Sequence, residues 1–259
     1  MRGFTFIGKR KNNMAKKRRK KKKSIRKKIV LFVFEILLLL IVLLAVWFYN
    51  QTLGQVKYEK GLSDSEAGIN ENIDEDVLAN MHGYLNVALF GLDNRSDDSY
   101  GEGNSDCIII ASLNYDTKEV QLVSVYRDTY LPCGKGKYKK ANAAYASGGP
   151  KNAVAMLNSN LDLDITKYVC VDWKALVDAI DDLGGLDIEI TDQEVKEINK
   201  CTVEVDQMTG KNTPDVTESG RVHLDGTQAT GYARIRSTSG DDFLRASRQR
   251  IVLQAMLDK

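Results

Sequence analysis

Three short stretches of this chain place charged residues where chemistry could be done. Asp93 follows an apolar run in GLDNRSDD, Asp106 precedes a second in NSDCIII, and Arg127-Asp128 ends a third in SVYRDTY. If the three runs are strands of an up-down-up meander, the end of the first, the start of the second and the end of the third lie at one edge. Asp93, Asp106 and Arg127 then converge. Two carboxylates are hard oxygen donors of the kind that hold Mg²⁺ against phosphates, and a guanidinium fork matches phosphate oxygens two at a time. Taken singly, each of these residues reads equally well as a solvated charge at a strand end.

More arginines follow near the carboxyl end. In DDFLRASRQRIVLQAMLD, read as a helix at about 100° per residue, Arg245, Arg248 and Gln249 fall on one arc, which Val252 and Met256 continue. Ser247, Arg250, Gln254 and Asp258 occupy the opposite arc, with Phe243 also on the outer side. Upstream, YARIRS spaces Arg234 and Arg236 two apart, which in an extended segment sends both side chains the same way. Buried cations need partners. With Arg127 these make five inward arginines, a set suited to an anion with several oxygens such as pyrophosphate. The alternative is internal ion pairing with some of the 34 carboxylates of residues 50–259.

The elements that must position these residues are legible as short β-branched runs. YLNVALFGL, CIIIASL and EVQLVSVY read as buried strands, and NYDTK between the second and third is a tight turn, which makes those two an antiparallel hairpin. PKNAVAMLNSNL reads as a helix with Pro150 in its first turn. Strand ITKYVCVDW, helix WKALVDAIDDL capped by Gly184-Gly185, and strand LDIEI follow. Residues 200–220 carry turn residues without a sustained period and read as a surface excursion. A short helix in DGTQATGYARIRS precedes the long arginine-bearing one. The alternation predicts one three-layer α-β-α domain with a mixed central sheet.

The average charge of +2 describes neither half of the chain. Residues 1–28 hold 15 of the 37 cations and no acid; residues 50–259 hold 22 cations against 34 anions. Between them, residues 29–49 (IVLFVFEILLLLIVLLAVWFY) carry only Glu35 and are long enough to span a bilayer. The exit VWFYNQTLGQ lacks a small-residue cleavage site. The reading is a basic cytoplasmic tail over 1–28, an uncleaved transmembrane helix over 29–49, a stalk or first helix over 50–82 and an extracellular domain over 83–259. The basic run abuts the span and has no interleaved aromatics, so topology explains it and no nucleic-acid partner is expected. A Ser/His/Asp machine is disfavoured, since the two histidines, His82 and His223, lie in unsuggestive settings. Zinc is disfavoured by the wide spacing of Cys107, Cys133, Cys170 and Cys201. Cys107 and Cys170 read as buried thiols; Cys133 and Cys201, in loops outside the cell, could form a disulfide. The chain stops nine residues past Arg250, so a further carboxyl-terminal segment is expected to be missing.

Taken together, GLDNR, SDCIIIASLN, VQLVSVYRDTY, KKANAAYASGGP, LGGLDIEI, HLDGTQATGYARIRS and DDFLRASRQR resemble the LytR-CpsA-Psr family of membrane-anchored phosphotransferases of bacterial envelopes, from about Tyr84 to the end. The resemblance implies transfer of an anionic glycopolymer, such as teichoic acid or capsule, from a polyprenyl-pyrophosphate carrier to a peptidoglycan sugar hydroxyl, forming a phosphodiester. It implies Mg²⁺ (or Mn²⁺) on Asp93 and Asp106, and pyrophosphate on Arg127, Arg234, Arg236, Arg245 and Gln249, with Arg95 and Arg248 also in the pocket. Asp128 would be a base or an organiser of Arg127. An apolar channel between sheet and helices would take the polyprenyl chain. Hydrolysis of the same lipid, or non-catalytic glycolipid binding linked to transcriptional attenuation, are the alternative functions.

Overall fold

In the computed structural model of the chain, the described residues are Phe32, Ile36, 38–46, 56–93, 103–134, 136–236 and 241–259. The chain divides into two units, Met1–Lys60 and Gly61–Lys259. In the first, residues 38–46 are helical with their apolar side chains exposed. Among the described residues no helix is long and apolar enough to cross a membrane. The basic run 1–28 and the rest of the expected span 29–49 lie outside the described residues.

The second unit begins with two short helices, α1 (Asp64–Ala67) and α2 (Glu75–Met81), then strands β1 (Tyr84–Leu92), β2 (Ser105–Asn114) and β3 (Val120–Ser124). The expected meander is present: β1 pairs antiparallel with β2 and β2 with β3. A hairpin, β4 (Tyr130–Pro132) and β5 (Tyr138–Lys140), precedes the kinked helix α3 (Asn142–Leu161). The kink sits at Gly148 and Gly149, and Pro150 opens the second segment, where its missing N–H costs nothing. Strand β6 (Lys167–Val171) returns parallel to β1, completing a mixed sheet in the order β3-β2-β1-β6.

Strand β6 leads into α4 (Trp173–Asp182), whose first turn is capped by the Asp172 carboxylate accepting from the Ala175 N–H. The expected carboxyl cap follows, Gly184 and Gly185 both at positive φ. Then come β7 (Leu186–Ile190), α5 (Asp192–Thr209), β8 (Gly220–Leu224), α6 (Gly226–Arg234) and α7 (Asp241–Leu257).

Two expectations are corrected here and a third is narrowed. LDIEI does not join the central sheet; as β7 it pairs antiparallel with β8, burying Leu186, Ile188 and Ile190 and exposing Asp187 and Glu189. Residues 200–209 are not surface excursion but the second half of α5, an 18-residue helix opened by a Thr191/Glu194 capping box. The period was hidden because only Ile198, Thr202 and Val205 are fully buried in a helix whose remaining positions are rich in charge. Of the two readings for 50–82, a stalk or a first helix, residues 61–82 take the helical one as α1 and α2 and pack on the domain: Leu62 donates to the Thr166 carbonyl, Ala67 is buried, and the Asn158 amide bonds the Ala67 carbonyl at 2.8 Å.

Two cores result. One face of β1 (Ala88, Phe90, Leu92) and of β2 (Ile108, Ile110) packs on α3 through Tyr145, Val154 and Leu157. The β7–β8 ribbon forms a second core with α4, α5, α6 and α7 around Ile180, Ile198, Tyr232 and Val252. The other face of β1, Leu89 and Gly91, is only partly buried. It faces the space between the sheet and the second core.

Candidate active site

That space is an apolar cavity with an empty volume of about 730 Å³ including its mouth. Leu89, Gly91 and Cys107 of the sheet form one wall; Leu176 of α4, Ala233 of α6 and Val252 of α7 form the other. Gly91 keeps it open, since a Cβ there would stand 2.8 Å from the Cys107 Cβ. Burial pushes the Cys107 thiol up to about 12, so it is an apolar wall group rather than a nucleophile. Asp106 and Gln249 line this cavity and also an adjoining polar cleft formed with Arg127, Asp242 and Arg245. The apolar and the charged spaces therefore meet at Asp106 and Gln249.

Asp106 is the centre of the charged part. Leu92 pairs with Ser105 and Gly91 with Cys107, so Asp106 is the extra residue of a β-bulge with no partner on β1. Bulges of this kind turn a side chain away from its ladder direction. Both Asp106 carboxylate oxygens accept from Arg127 Nη1 at 3.1 Å, Oδ2 also accepts from Arg236 at 2.7 Å, and the Asp106 carbonyl accepts from Arg245 at 3.3 Å. Three arginines from the end of the meander, the segment after α6 and the start of α7 thus meet on one acid.

The acids of the cluster leave some of its guanidinium N–H groups without acceptors. Arg245 is 5% exposed, and its ionised form is disfavoured by burial and by the charges of Arg127 and Arg236. Its Nη1 is buried and, among the described residues, has no hydrogen-bond partner; the same holds for Arg127 Nε and Arg234 Nη1. Asp128 and Asp242 stand at 3.5 and 3.8 Å from Arg127 Nε, ion-pair rather than hydrogen-bond distance. Buried guanidinium N–H groups without acceptors are costly. Guanidinium N–H groups in this state are suited to donating to anion oxygens.

Asp93 and Arg234 join through a residue that sequence reasoning missed. Trp173, at the start of α4, donates its indole N–H to Asp93 Oδ1 at 3.1 Å, and the Arg234 guanidinium lies 3.9 Å over its ring. The available signal was positional: Trp173 follows β6, which runs parallel to β1 and so ends at the same edge. Asp242 was also missed. It pairs with Arg245 at 3.3 Å three residues along α7.

Several expectations change. Arg234 and Arg236 do not project from an extended segment: Arg234 ends α6 and pairs with Glu204 at 2.8 Å, whereas Arg236 reaches Asp106. Arg248 is inward, 5% exposed, but its Nε pairs with Glu194 at 2.8 Å, away from the cleft. For Arg248 the internal ion pair is the observed outcome. Asp128 bonds Lys140 at 2.7 Å and lies beside Arg127; Lys140, and then Arg127, hold its carboxyl below the usual range against the opposing effect of burial. That favours an organiser of Arg127 over a base. Cys133 and Cys201 are free thiols, Cys133 within the first core and Cys201 packed against the second. Arg95 lies outside the described residues.

The donor set suits a hard cation in kind. Asp93 and Asp106 are carboxylates at adjacent strand ends, and among the described residues no group of three or more His, Cys, Asp or Glu gathers into a complete protein cage. Mg²⁺ commonly binds through one or two carboxylates, with phosphate oxygens and water completing its coordination.

Comparison with known proteins places this geometry. The polyisoprenyl-teichoic acid–peptidoglycan teichoic acid transferase TagU of Enterococcus faecalis is 33% identical over 177 residues, covering 68% of this chain and 53% of that protein. Its Bacillus cereus counterpart is 32% identical over 192 residues, covering 73% and 56%. This chain thus spans about half the length of the curated relatives it matches. Among solved structures, TagT bound to LI-WTA matches with a TM-score of 0.61 at 26% identity, over 77% of this chain and 72% of that one. The LytR-CPS2A-psr family protein YwtF (TagT) with bound octaprenyl pyrophosphate lipid matches at 0.58 and 25%, over 77% and 73%. The model of the LytR_cpsA_psr family matches residues 46–259, which includes the meander, the arginine cluster and both walls of the cavity, and the chain belongs to that family.

Proposed function

We propose that this protein transfers an anionic glycopolymer from a polyprenyl-pyrophosphate carrier to a peptidoglycan sugar hydroxyl, forming a phosphodiester and releasing the lipid monophosphate. The observation that carries the reading is Arg245: a buried arginine with an unpartnered Nη1, crowded by Arg127 and Arg236, where a polar cleft opens into an apolar cavity. One ligand type satisfies both halves, a pyrophosphate with an apolar tail. The relatives named for teichoic acid transfer and the TagT structure with octaprenyl pyrophosphate lipid support the same assignment.

In this reading Arg127, Arg236 and Arg245 bind the pyrophosphate oxygens and Gln249 stands where headgroup meets tail. Charge accumulates on the leaving lipid phosphate, and positioned guanidinium groups stabilise it. Asp93 and Asp106 are the residues that would hold Mg²⁺, which when bound neutralises phosphate oxygens. Asp128, kept ionised beside Lys140, fixes Arg127 from behind. Trp173 orients Asp93 and carries Arg234 on its ring. A single-pass anchor over 29–49, with 1–28 in the cytoplasm and the domain outside, would keep the cavity near a donor whose tail lies in the same bilayer.

The test is full-length protein in detergent micelles with a polyprenyl-pyrophosphate glycolipid, peptidoglycan oligomers and Mg²⁺, with products read by mass spectrometry. We expect a glycan-phosphate-peptidoglycan adduct plus lipid monophosphate, abolition by EDTA, and a loss of kcat/KM on the order of a hundredfold or more in Arg245→Ala. Hydrolysis without adduct would replace the ligase by a lipid-pyrophosphate hydrolase. Binding with neither product would leave a non-catalytic binder.

A further inference from the structure

The β4–β5 hairpin stands directly on the arginine cluster. Its first strand begins three residues after Arg127, a reach of at most ~10 Å, and Asn142, just past its second strand, donates its backbone N–H to the Arg127 carbonyl at 3.0 Å. Tyr130 pairs with Lys140 and Pro132 with Tyr138, so these four share one face, while Leu131 on the other packs against the first core. A two-stranded ribbon packed on one side ordinarily shows solvent a polar face. This one shows two tyrosines, stacked with ring centroids 5.7 Å apart and planes at 26°, that are 66% and 58% exposed.

The charge of the hairpin is opposite to that of its domain. Residues 129–161 contain no acid, in a part of the chain where anions outnumber cations by 34 to 22. Lys140 on the tyrosine face and Lys137 at the turn are exposed, whereas Lys139 pairs with Leu131 on the other face and donates to Ser147 Oγ at 2.9 Å. Lys140 Nζ lies 2.7 Å from Asp128, which lies 3.5 Å from Arg127, so the aromatic face adjoins the cluster through a chain of ion pairs. Stacked exposed aromatic rings offer flat apolar surface to the C–H faces of sugars and polyols. Lysines beside them attract phosphate or carboxylate groups.

We propose that the outward face of this hairpin binds the polymer portion of the donor, an anionic glycan or polyol phosphate, within a unit or two of the phosphate held at Arg127. This rests on the proposed function for what the polymer is attached to, and it deepens that reading by assigning polymer recognition to Tyr130 and Tyr138, with Lys137 exposed at the turn beside them. An anionic lipid surface is the competing occupant of a tyrosine-lysine face. Adjacency to the arginine cluster, where the polymer must begin, favours the glycopolymer.

The experiment reads binding rather than turnover, so it can fail while the transferase stands, or hold while the transferase fails. Full-length protein in nanodiscs of zwitterionic lipid is titrated with lipid-free poly(glycerol phosphate), with amide hydrogen exchange followed over 130–140. Slower exchange there, with affinity reduced about tenfold in Tyr130→Ala/Tyr138→Ala and in Lys137→Glu, supports the proposal. The lysine variant guards against a folding defect in the double mutant, since Lys137 is exposed at the turn. No change in exchange, an equal effect from neutral dextran, or protection from phosphatidylglycerol in the nanodisc without polymer would each overturn it.

Discussion

Arg245 and Arg248 lie within one turn of α7, and both are 5% exposed, yet they face different chemistry. Arg245 keeps an unpartnered Nη1 beside two other arginines, whereas Arg248 bonds Glu194 and passes within 5.9 Å of the Tyr232 ring centroid. Removing one partner of a buried pair strands the other charge. Arg248→Ala should therefore lower unfolding free energy by about 3–5 kcal/mol, read by denaturant melts, with the surviving folded fraction keeping its affinity for pyrophosphate. Glu194 adds a pH signature. Burial opposes its ionisation, but the Thr191 N–H and Arg248 outweigh burial and hold its carboxyl below the ordinary value. Its stabilisation is present above about pH 4 and lost as pH falls through the depressed value; Glu194→Gln should flatten that acid limb of the melt profile. Both arginines were legible as inward-facing from spacing alone. Which was site and which was ion pair was not, because Glu194 lies 54 residues away on another helix.

The decisive element is the sheet edge where β1 ends, β2 begins and β6 ends. The meander is local and written in apolar runs joined by a short turn, so the meeting of Asp106 with Arg127 follows from local pattern alone. The bulge at Asp106 and the seating of Trp173 do not, since both depend on how β1 registers against strands on either side. The cavity is a second consequence of elements. Leu176 faces Leu89 and Gly91 across it, and filling it should separate tail from headgroup. Leu176→Trp is expected to weaken binding of a long-chain polyprenyl pyrophosphate more than tenfold, as lost burial of several CH₂ groups at about 0.8 kcal/mol each. Inorganic pyrophosphate binding should be unchanged in calorimetry; equal loss of both would mean that the tail lies elsewhere.

At the scale of the whole molecule, a strongly basic start, an apolar 21-residue run and an acidic remainder are arranged along one chain. If 29–49 spans the bilayer as proposed, protease added to intact cells should digest the part after residue 50 and spare 1–28, and removal of 1–49 should release the domain from membranes. Digestion of the basic tail instead would reverse the topology. The sequence by itself determined the charge asymmetry, the strand meander, the glycine cap after α4 and the inward arc of α7, because each follows from neighbours a few residues apart. Only the tertiary structure decided that β7 pairs with β8 outside the main sheet and that 200–209 is helical. The same folding left Cys133 and Cys201 in separate cores, paired Arg248 with Glu194, and placed an apolar cavity against an arginine cluster. Those outcomes are set by contacts between segments remote in sequence, whose partners are chosen by packing and charge pairing that no local pattern records.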